Sequence, residues 1–422
     1  MGCLVSWRRG VQSLTIVAVL LAAHPAMAGP AAEWQAVETA GEAHERHENA
    51  FVRVGDKFVL LGGRGIDPVN SFDPSSGQFS AGRQPPIELH HFQAVTFHGL
   101  VFVIGAMTGK YPYETPVSHM YIYDPLQDRW MTGPEIPATR RRGAAGIAVV
   151  DGRFYVVAGI VNGHKSGWLP WTDVYDPGTG RWRSLANAPR ARDHFQAVAV
   201  NGQIFAAGGR RSGSEKLVFS GTVAAIDVYD VARDRWSSLP AKNNLPTPRA
   251  GASSVQIGDG FAVLGGESGA QRAAHVDVEY FDTLTNTWSR WQDLATPRHG
   301  TQAATTFDAI WIAGGSAGRG GGPELVALER LVDPTAQPAP MPPLSASDLV
   351  LAGNDATGEN SRIVVLENRG GNQALVVKNA VVIGGATIDV DRTPPYIIKP
   401  GGRLTLSSEG IEGDDDRLIV AP

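Results

Sequence analysis

A pair of small residues recurs six times in this chain, and this repeat constrains the fold more than any other feature. Each pair closes a short apolar run, such as the segments 58–61 and 101–104, and the pairs are 43 to 57 residues apart. A period of this length is typical of architectures in which every repeat is one supersecondary unit. The six pairs are Gly62-Gly63, Gly105-Ala106, Ala158-Gly159, Gly208-Gly209, Gly265-Gly266 and Gly314-Gly315.

After each of the first five pairs come an aromatic–Asp dipeptide and, past a short turn, a further aromatic residue. The dipeptides are Phe72-Asp73, Tyr123-Asp124, Tyr175-Asp176, Tyr229-Asp230 and Phe281-Asp282, and the later aromatics are Phe79, Trp130, Trp182, Trp236 and Trp288. This order resembles the kelch repeat, in particular that of exported bacterial proteins. The resemblance implies four-stranded antiparallel blades packed radially, because one such sheet cannot bury both of its faces alone. We therefore expect an all-β fold, a six-bladed kelch β-propeller over residues 31–333.

The sixth repeat lacks its own outer aromatic residue, which raises the question of how the ring closes. The segment 325–331 supplies a third strand, but a Pro-rich stretch follows Asp333. Trp34 stands before the first repeat at a spacing similar to that of the other outer tryptophans. We expect Trp34 to lie on the missing outer strand, so that the N-terminal segment closes the ring. A seventh blade around residues 381–385 is the alternative, but no Tyr-Asp or Trp accompanies that segment.

The two ends of the chain differ in composition from the repeats. Residues 1–28 have Arg8 and Arg9, a short apolar stretch and Ala26-Met27-Ala28, a pattern typical of a cleaved secretory signal peptide. We expect a periplasmic or secreted protein with no membrane insertion after signal cleavage. Residues 334–345 form a Pro-rich linker. Residues 346–422 alternate as short strands would, and they resemble a small immunoglobulin-like β-sandwich.

Composition excludes several classes of function. The only cysteine, Cys3, lies inside the predicted signal, so the mature chain has no disulfide, thiolate nucleophile or zinc–sulfur site. The formal net charge is −5 at pH 7, which argues against nucleic acid as a partner. A kelch propeller followed by a β-domain also resembles galactose-oxidase-like enzymes. Their tyrosine–cysteine cofactor cannot form without cysteine, and we expect no cofactor.

Loop lengths distinguish the two faces of the predicted disc. The turns at 54–56, 151–153 and 201–203 are minimal, so one face is expected to be structural. The loops at 106–119, 160–172 and 210–224 are long and belong to the other face. Long loops on a rigid scaffold are where binding residues concentrate. We therefore expect the ligand site on the long-loop face.

Sixteen residues before the small pair, five of the six repeats carry arginine, and these five residues are called the arginine column: Arg46, Arg142, Arg192, Arg249 and Arg298. Guanidinium groups suit carboxylate, sulfate or phosphate, and exposed aromatic rings suit sugars. These features favour a binding protein for an anionic carbohydrate or an acidic protein segment. The candidate ligand-binding residues are Arg46, Arg142, Arg192, Arg249, Arg298, Arg64, Arg210, His91, His194, Trp168 and Trp171.

Two alternatives stay open at this point. The column arginines could instead tether blades through backbone carbonyls, since arginine at this point belongs to the kelch consensus, with Glu48, Asp193 and Glu267 as internal counter-charges. The chain could also be a carbohydrate-active enzyme. One form resembles a sialic acid mutarotase, with Glu267 or Glu215 as the acid/base group near Arg210 or Arg249, and the other is a polysaccharide lyase that uses His and Arg. The catalytic residues of such an enzyme are unknown. We expect no metal site, because His91 and His194 come from blades two and four and need not converge.

Overall fold

The computed structural model describes residues 33–213, 219–306 and 309–332, and beyond them the backbone of seven strands between 349 and 409. The predicted signal segment 1–28 and the linker 334–345 lie outside the described residues. No helix in the described part of the chain is long and apolar enough to cross a bilayer.

Six sheets follow one another along the chain, each with four antiparallel strands named a to d, and the first sheet has a fifth, parallel strand. Strand a of every sheet contacts strand a of the sheets before and after it, and the sixth contacts the first, so the sheets form a closed ring around a channel. The first three blades are Asn49–Val54, Lys57–Gly62, Asn70–Asp73 and Gln78–Ala81; Ala94–Phe97, Leu100–Val103, His119–Asp124 and Arg129–Glu135; Gly146–Val150, Arg153–Val157, Thr172–Asp176 and Arg181–Ser184.

The remaining blades keep the same order, and the last one recruits its outer strand from the N-terminal side. They are Ala197–Val200, Gln203–Ala206, Asp227–Asp230 and Arg235–Ser238; Ser253–Ile257, Gly260–Leu264, Val278–Asp282 and Thr287–Arg290; Ala303–Thr305, Ala309–Ala313, Leu328–Val332 and Trp34–Ala36. The prediction of an all-β, six-bladed propeller is confirmed.

Trp34 closes the ring as expected. It lies opposite Leu331 in an antiparallel pair. Its indole N–H donates to the carbonyl of Gln292 in blade five, at 3.0 Å. The outer tryptophans of blades two to five make the same bond to the blade before them; the acceptors are the carbonyls of Arg83, Glu135, Ala186 and Asn243. Trp34 therefore occupies the register of a sixth outer tryptophan, and its strand replaces the one that the repeat lacks.

The small pairs are required by the close approach of adjacent blades. Gly265 has a φ of +60°, and a Cβ on it would lie 2.3 Å from the carbonyl oxygen of Arg298 in the next blade. Gly62 has a φ of +71°, and its Cβ would lie 2.6 Å from the ring of Phe92. Side chains at these positions would push the blades apart, so glycine is needed for both its conformation and its size.

Short elements decorate the long-loop face and the blade connections. Blade one gains a parallel strand, Ala40–Gly41. The hairpins are Met107–Thr108 with Thr115–Pro116 and Ile160–Asn162 with Ser166–Trp168, and the 3₁₀ helices are Ala138–Arg140 and Ala241–Asn243.

The described C-terminal backbone consists of antiparallel strands. Ser361–Asn368 pairs with Leu349–Gly358 on one side and with Arg403–Glu409 on the other. Two smaller pairs are Leu375–Val377 with Tyr396–Ile398 and Val382–Ile383 with Ala386–Thr387. The immunoglobulin-like assignment and the domain boundaries stay predictions.

Candidate functional site

The five arginines of the predicted column are buried, and their guanidinium groups bind their own blades. Arg249 donates to the carbonyls of Gly265 at 2.6 Å and Val263 at 2.8 Å, and its counter-ion is Glu279. The other four have equivalent partners: Gly62 and Asn70 for Arg46, Ala158 and Asp173 for Arg142, Gly208 and Asp227 for Arg192, and Gly314 and Glu329 for Arg298.

Burial sets the electrostatics of this arginine column. Loss of hydration lowers the pKa of Arg192 to about 10, against the opposing attraction of Asp227. The guanidinium is still charged at neutral pH, so it must be paired inside the protein. The geometry matches the tethering alternative rather than the ligand-binding hypothesis, with two differences. The acids paired with the column are Asp173, Asp227, Glu279 and Glu329, not Glu48, Asp193 and Glu267. The side chain ties each arginine to its own blade, while its backbone carbonyl reaches the preceding blade, as when Gly266 N–H donates to Arg298 at 2.8 Å.

Two residues after the column, the backbone forms a closed ring of hydrogen bonds around the channel. Each N–H donates to the carbonyl of the preceding blade; for example, His91 donates to Glu48 at 3.1 Å and His194 to Ala144 at 3.0 Å. Only the bond that closes the ring differs, since Asn49 rather than Glu48 donates to Gly300. All six carbonyl-bearing residues have positive φ, and we call them the mouth ring: Glu48, His91, Ala144, His194, Gly251 and Gly300.

Because the mouth ring surrounds the axis, its side chains meet even when they come from distant blades. The centroids of the His91 and His194 rings are 4.9 Å apart. The expectation that these two histidines need not converge was therefore wrong. A third histidine, His164 on the long loop of blade three, lies 4.9 Å from His91 and 4.7 Å from His194 by ring centroids. These three buried residues form the histidine cluster, whose ligand nitrogens all lie within 4.8 Å of one another.

Carboxylates hold the outer nitrogens of this cluster. His164 Nδ1 lies 3.0 Å from Glu114 Oε2, and His194 Nδ1 contacts Asp193 Oδ1. Burial opposes ionisation of Glu114, but hydrogen bonds from His164 and Arg64 outweigh it and lower the pKa of Glu114 to about 2. Burial lowers the pKa of His194 below its usual range.

The two further cations of the prediction are engaged with acids at the mouth. Arg64 Nη2 binds Glu114 Oε1 at 2.8 Å. Arg210 is buried against Glu267 and Ser212. Burial opposes ionisation of Glu267, but His299 and Arg210 outweigh it and lower the pKa of Glu267 to about 2. The cations nominated at the mouth are therefore paired with acids rather than free for an anionic ligand.

Aromatic and cationic side chains stand exposed above the histidine cluster, on loops of blades two to four. Tyr111, Tyr113 and Trp168 are 54%, 69% and 39% exposed. Lys165 Nζ lies 4.4 Å from the centroid of Tyr113, and the guanidinium of Arg211 lies 5.7 Å from the Trp168 ring. These five residues are called the rim patch.

Trp171, which the sequence also nominated, lies elsewhere. The Arg140 guanidinium stacks 4.0 Å above its ring, and Arg142 of the column lies 5.7 Å away. This position packs the long loop of blade three against its own arginine tether. Of the two nominated tryptophans, Trp168 therefore belongs to the rim patch and Trp171 to the packing beneath it.

Three glutamines cross the channel below the mouth ring. Gln93 Nε2 donates to Ala197 O at 2.9 Å, and Gln196 and Gln302 make similar bonds to Thr301 and Ala94. The three come from blades two, four and six. Beyond this layer a cavity of about 890 Å³ opens on the short-loop face, lined by strands a and their turns. The short-loop face was expected to be purely structural. Its short turns cover little of the channel, so the channel has a wide opening on this face.

Sequence reasoning missed His164 and Glu114, the two loop residues of the site. His91 and His194 were nominated, since both lie two residues after the column register, but their meeting at the axis was not expected. His164 has no counterpart in that register. Its loop folds back so that His164 N–H donates to Pro112 O at 3.2 Å. This contact joins two blades, and no local sequence pattern predicts it.

This closed ring, with its small pairs, arginine tethers and outer tryptophans, defines a kelch-type β-propeller. Residues 29–276, more than half of the chain, match the attractin/LZTR1 β-propeller family. The chain therefore belongs to the attractin/LZTR1 β-propeller family.

Similar proteins agree on the fold and differ in their own size. Kelch-like protein terF of Aspergillus terreus is 25% identical over 291 residues, covering 65% of this chain and 62% of that protein. Kelch-like protein 25 of Xenopus tropicalis is 24% identical over 273 residues, covering 63% of this chain and 44% of that protein. The chain thus spans less than two thirds of the length of these relatives. The solved structure of YjhT has a TM-score of 0.57 at 13% identity and covers 69% of this chain and 96% of YjhT.

Proposed function

We propose that this propeller is a recognition protein outside the cytoplasm that binds an anionic carbohydrate at the rim patch. The observation that carries the proposal is the exposure of Tyr111, Tyr113 and Trp168 beside Lys165 and Arg211. Large aromatic side chains are normally buried, so three exposed ones on one face favour a ligand surface. A flat ring offers a stacking surface to a sugar, and an adjacent cation offers a partner to its carboxylate.

An acidic protein segment is the other ligand that the sequence nominated, and the same patch would attract it by charge. The aromatic rings distinguish these two ligand classes. Stacking of a sugar requires the rings, whereas attraction of an acidic segment by charge requires only the cations. The column arginines take no part in this proposal, since their guanidinium groups are occupied within the blades.

The enzyme alternative finds less support in the geometry. A general acid or base works best with a pKa near the working pH. The pKa of Glu267 is about 2, because His299 and Arg210 hold it ionised against the effect of burial. The other nominated acid, Glu215, lies outside the described residues, and Arg249 is locked in its tether.

Binding to polyuronate and sialic acid oligosaccharides, measured by calorimetry at low and high salt, tests the proposal. Trp168→Ala and Tyr113→Ala should each weaken binding by roughly tenfold or more, the loss expected for an aromatic contact worth about 1.5 kcal/mol. Lys165→Ala should remove part of the salt dependence. Lys57→Ala is the matched control, because Lys57 is an exposed lysine that begins a strand next to a short turn on the opposite face.

Three results would overturn this assignment. Unchanged binding in the aromatic variants would remove the rim patch from the site. Binding of acidic peptides but not of glycans would replace the ligand class. Appearance of an altered anomeric ratio or an unsaturated product during incubation would replace recognition with catalysis.

A further inference from the structure

The histidine cluster has three imidazoles, one from each of blades two, three and four, with a ligand nitrogen of each within 4.8 Å of the others. It is the one group of three or more metal-ligand side chains found among the described residues with this geometry. All three side chains are buried, so the cluster is a built interior feature rather than a chance surface grouping.

Hydrogen bonds to carboxylates decide which nitrogens of His164 and His194 are free. Glu114 and Asp193 are acceptors, so each takes the Nδ1–H of its histidine and leaves Nε2 with a lone pair. The two Nε2 atoms face each other at 3.0 Å. Two lone pairs at this distance repel unless a cation or a proton lies between them. A histidine held at Nδ1 by a carboxylate is the usual arrangement of a metal ligand.

The tautomer of His91 follows from its neighbour. His90 Nε2 lies 3.1 Å from Gly109 O and must donate to it, so His90 Nδ1 is an acceptor. His91 Nδ1 lies 2.7 Å from that atom and donates to it. The lone pair of His91 is therefore on Nε2, which lies 3.5 Å from Glu48 Oε2. Two acceptors again face each other, as they do when a metal ion is held between them.

The mouth ring contains histidine where its backbone would prefer glycine. His91 and His194 both have a φ of +53°. A non-glycine residue in this conformation costs about 1–2 kcal/mol. Blades five and six place Gly251 and Gly300 at the equivalent positions, with φ of +59° and +65°. Structural closure therefore does not require histidine in the ring, and a ligand role accounts for its presence.

Charge also favours a cation. One chain of ion pairs among the described residues includes the cluster, and it contains four carboxylates, two guanidinium groups and His299. The acids are Glu48, Glu114, Asp193 and Glu267, and the cations are Arg64 and Arg210. Buried charges must be balanced, because an unpaired one is strongly destabilising. A divalent ion would add positive charge where carboxylates outnumber guanidinium groups.

We propose that His91, His164 and His194 bind one divalent transition-metal ion of the zinc class through their Nε2 atoms. Imidazole donors select Zn²⁺, Co²⁺, Ni²⁺ or Cu²⁺ over Mg²⁺ and Ca²⁺, which prefer oxygen. Three protein ligands leave a coordination position open, and Glu48 or an exogenous oxygen donor can fill it. The site is distinct from the rim patch and does not depend on carbohydrate binding.

Metal titration of the untagged chain after removal of metal by a chelator tests the site. Zn²⁺ added in competition with a chromophoric chelator should bind at one equivalent, while Mg²⁺ and Ca²⁺ should not compete. His164→Asn and His194→Asn should each reduce Zn²⁺ affinity at least 100-fold. Glu114→Gln should reduce it about 10- to 100-fold, as expected for the partner of a ligating histidine. His119→Asn is the control, since His119 is a half-buried histidine whose side chain bonds to Ser118 in its own blade.

The wild-type chain provides an independent measurement if a variant does not fold. X-ray absorption of the Zn²⁺-loaded protein should show three imidazole ligands, and the Co²⁺ form should show the visible bands of low coordination number. Fewer than three imidazoles, binding that survives equally in both asparagine variants, or absence of one-equivalent binding would each overturn the proposal. Glycan binding that persists after metal removal would leave the proposed function intact, so the two can fail separately.

Discussion

Replacement of Arg249 by alanine is the sharpest test of the arginine column. Its side chain is fully buried and donates to the carbonyls of Gly265, Val263 and Thr247 as well as to Glu279. A ligand-binding arginine could be removed with little change in stability. A tether could not, because every group that it satisfies is left behind in the interior.

The magnitude follows from what remains after truncation. Loss of one partner of a buried ion pair costs about 3–5 kcal/mol, because Glu279 is left as an uncompensated charge. Each carbonyl without a donor adds about 1–3 kcal/mol unless water reaches it. Since domains are stable by only about 5–15 kcal/mol, we expect Arg249→Ala to lose about half of the stability of the propeller or more.

Urea unfolding followed by tryptophan fluorescence and circular dichroism measures this loss. The control is Arg290→Ala in the same blade, because Arg290 is 54% exposed and pairs with Asp277 and Asp293 at the surface. Exposed ion pairs contribute about 0–1 kcal/mol, so this variant should unfold close to wild type.

The tethering argument would be refuted by a specific combination of results. If Arg249→Ala unfolds within about 1 kcal/mol of wild type and has lost glycan binding, the column is a ligand site. Arg249→Lys sharpens the test, because one ammonium group cannot reach the same set of carbonyls. It should remain destabilised although it conserves the charge.

Three further predictions concern closure, packing and pH. Trp34→Ala should lose about 3–5 kcal/mol of unfolding free energy, because it removes a buried aromatic residue from the closing strand; a loss below 1 kcal/mol would contradict the closure. Gly265→Ala should lower the melting temperature far more than Gly55→Ala: both glycines have φ near +60°, but a Cβ on Gly55 meets nothing within 4 Å. Glu267, whose pKa falls from 4.5 to about 2 on folding, stabilises the protein above pH 4.5, and this contribution is lost as the pH falls toward 2. Glu267→Gln should be less stable at pH 7 and lose less stability between pH 5 and pH 3, measured by urea unfolding; an unchanged pH profile would contradict this.

Sequence periodicity could predict the fold because every blade repeats the same physical requirements. A glycine is needed where Arg298 O approaches Gly265, and an outer aromatic residue is needed between blades, so small and aromatic residues recur in the same order in successive blades. Trp34 could be assigned to blade six by the same reasoning, although almost 300 residues separate it from Leu331. Requirements that repeat leave a pattern in the sequence.

The candidate site was predicted less well because it depends on what differs between blades. The column arginines were conspicuous for the same reason as the glycines, and repetition is what a structural tether produces. His164 and Glu114 meet across two long loops with no repeat counterpart, so nothing in the register places them together. A ligand site on a propeller is formed by residues that differ from one blade to the next. Their proximity can be recognised only in the closed ring, which brings them together at the axis.

The mouth ring explains how such exceptions are tolerated. Its backbone hydrogen bonds fix one left-handed residue per blade, whatever side chain that residue carries. Half of the mouth ring has only alanine or glycine: Ala144, Gly251 and Gly300. The other half, Glu48, His91 and His194, carries polar side chains at the mouth. The rim patch rises over blades two to four, the same blades that supply the histidine cluster. Chemistry is therefore concentrated on one side of a nearly symmetric scaffold, where side chains can change without disturbing the bonds that close the ring.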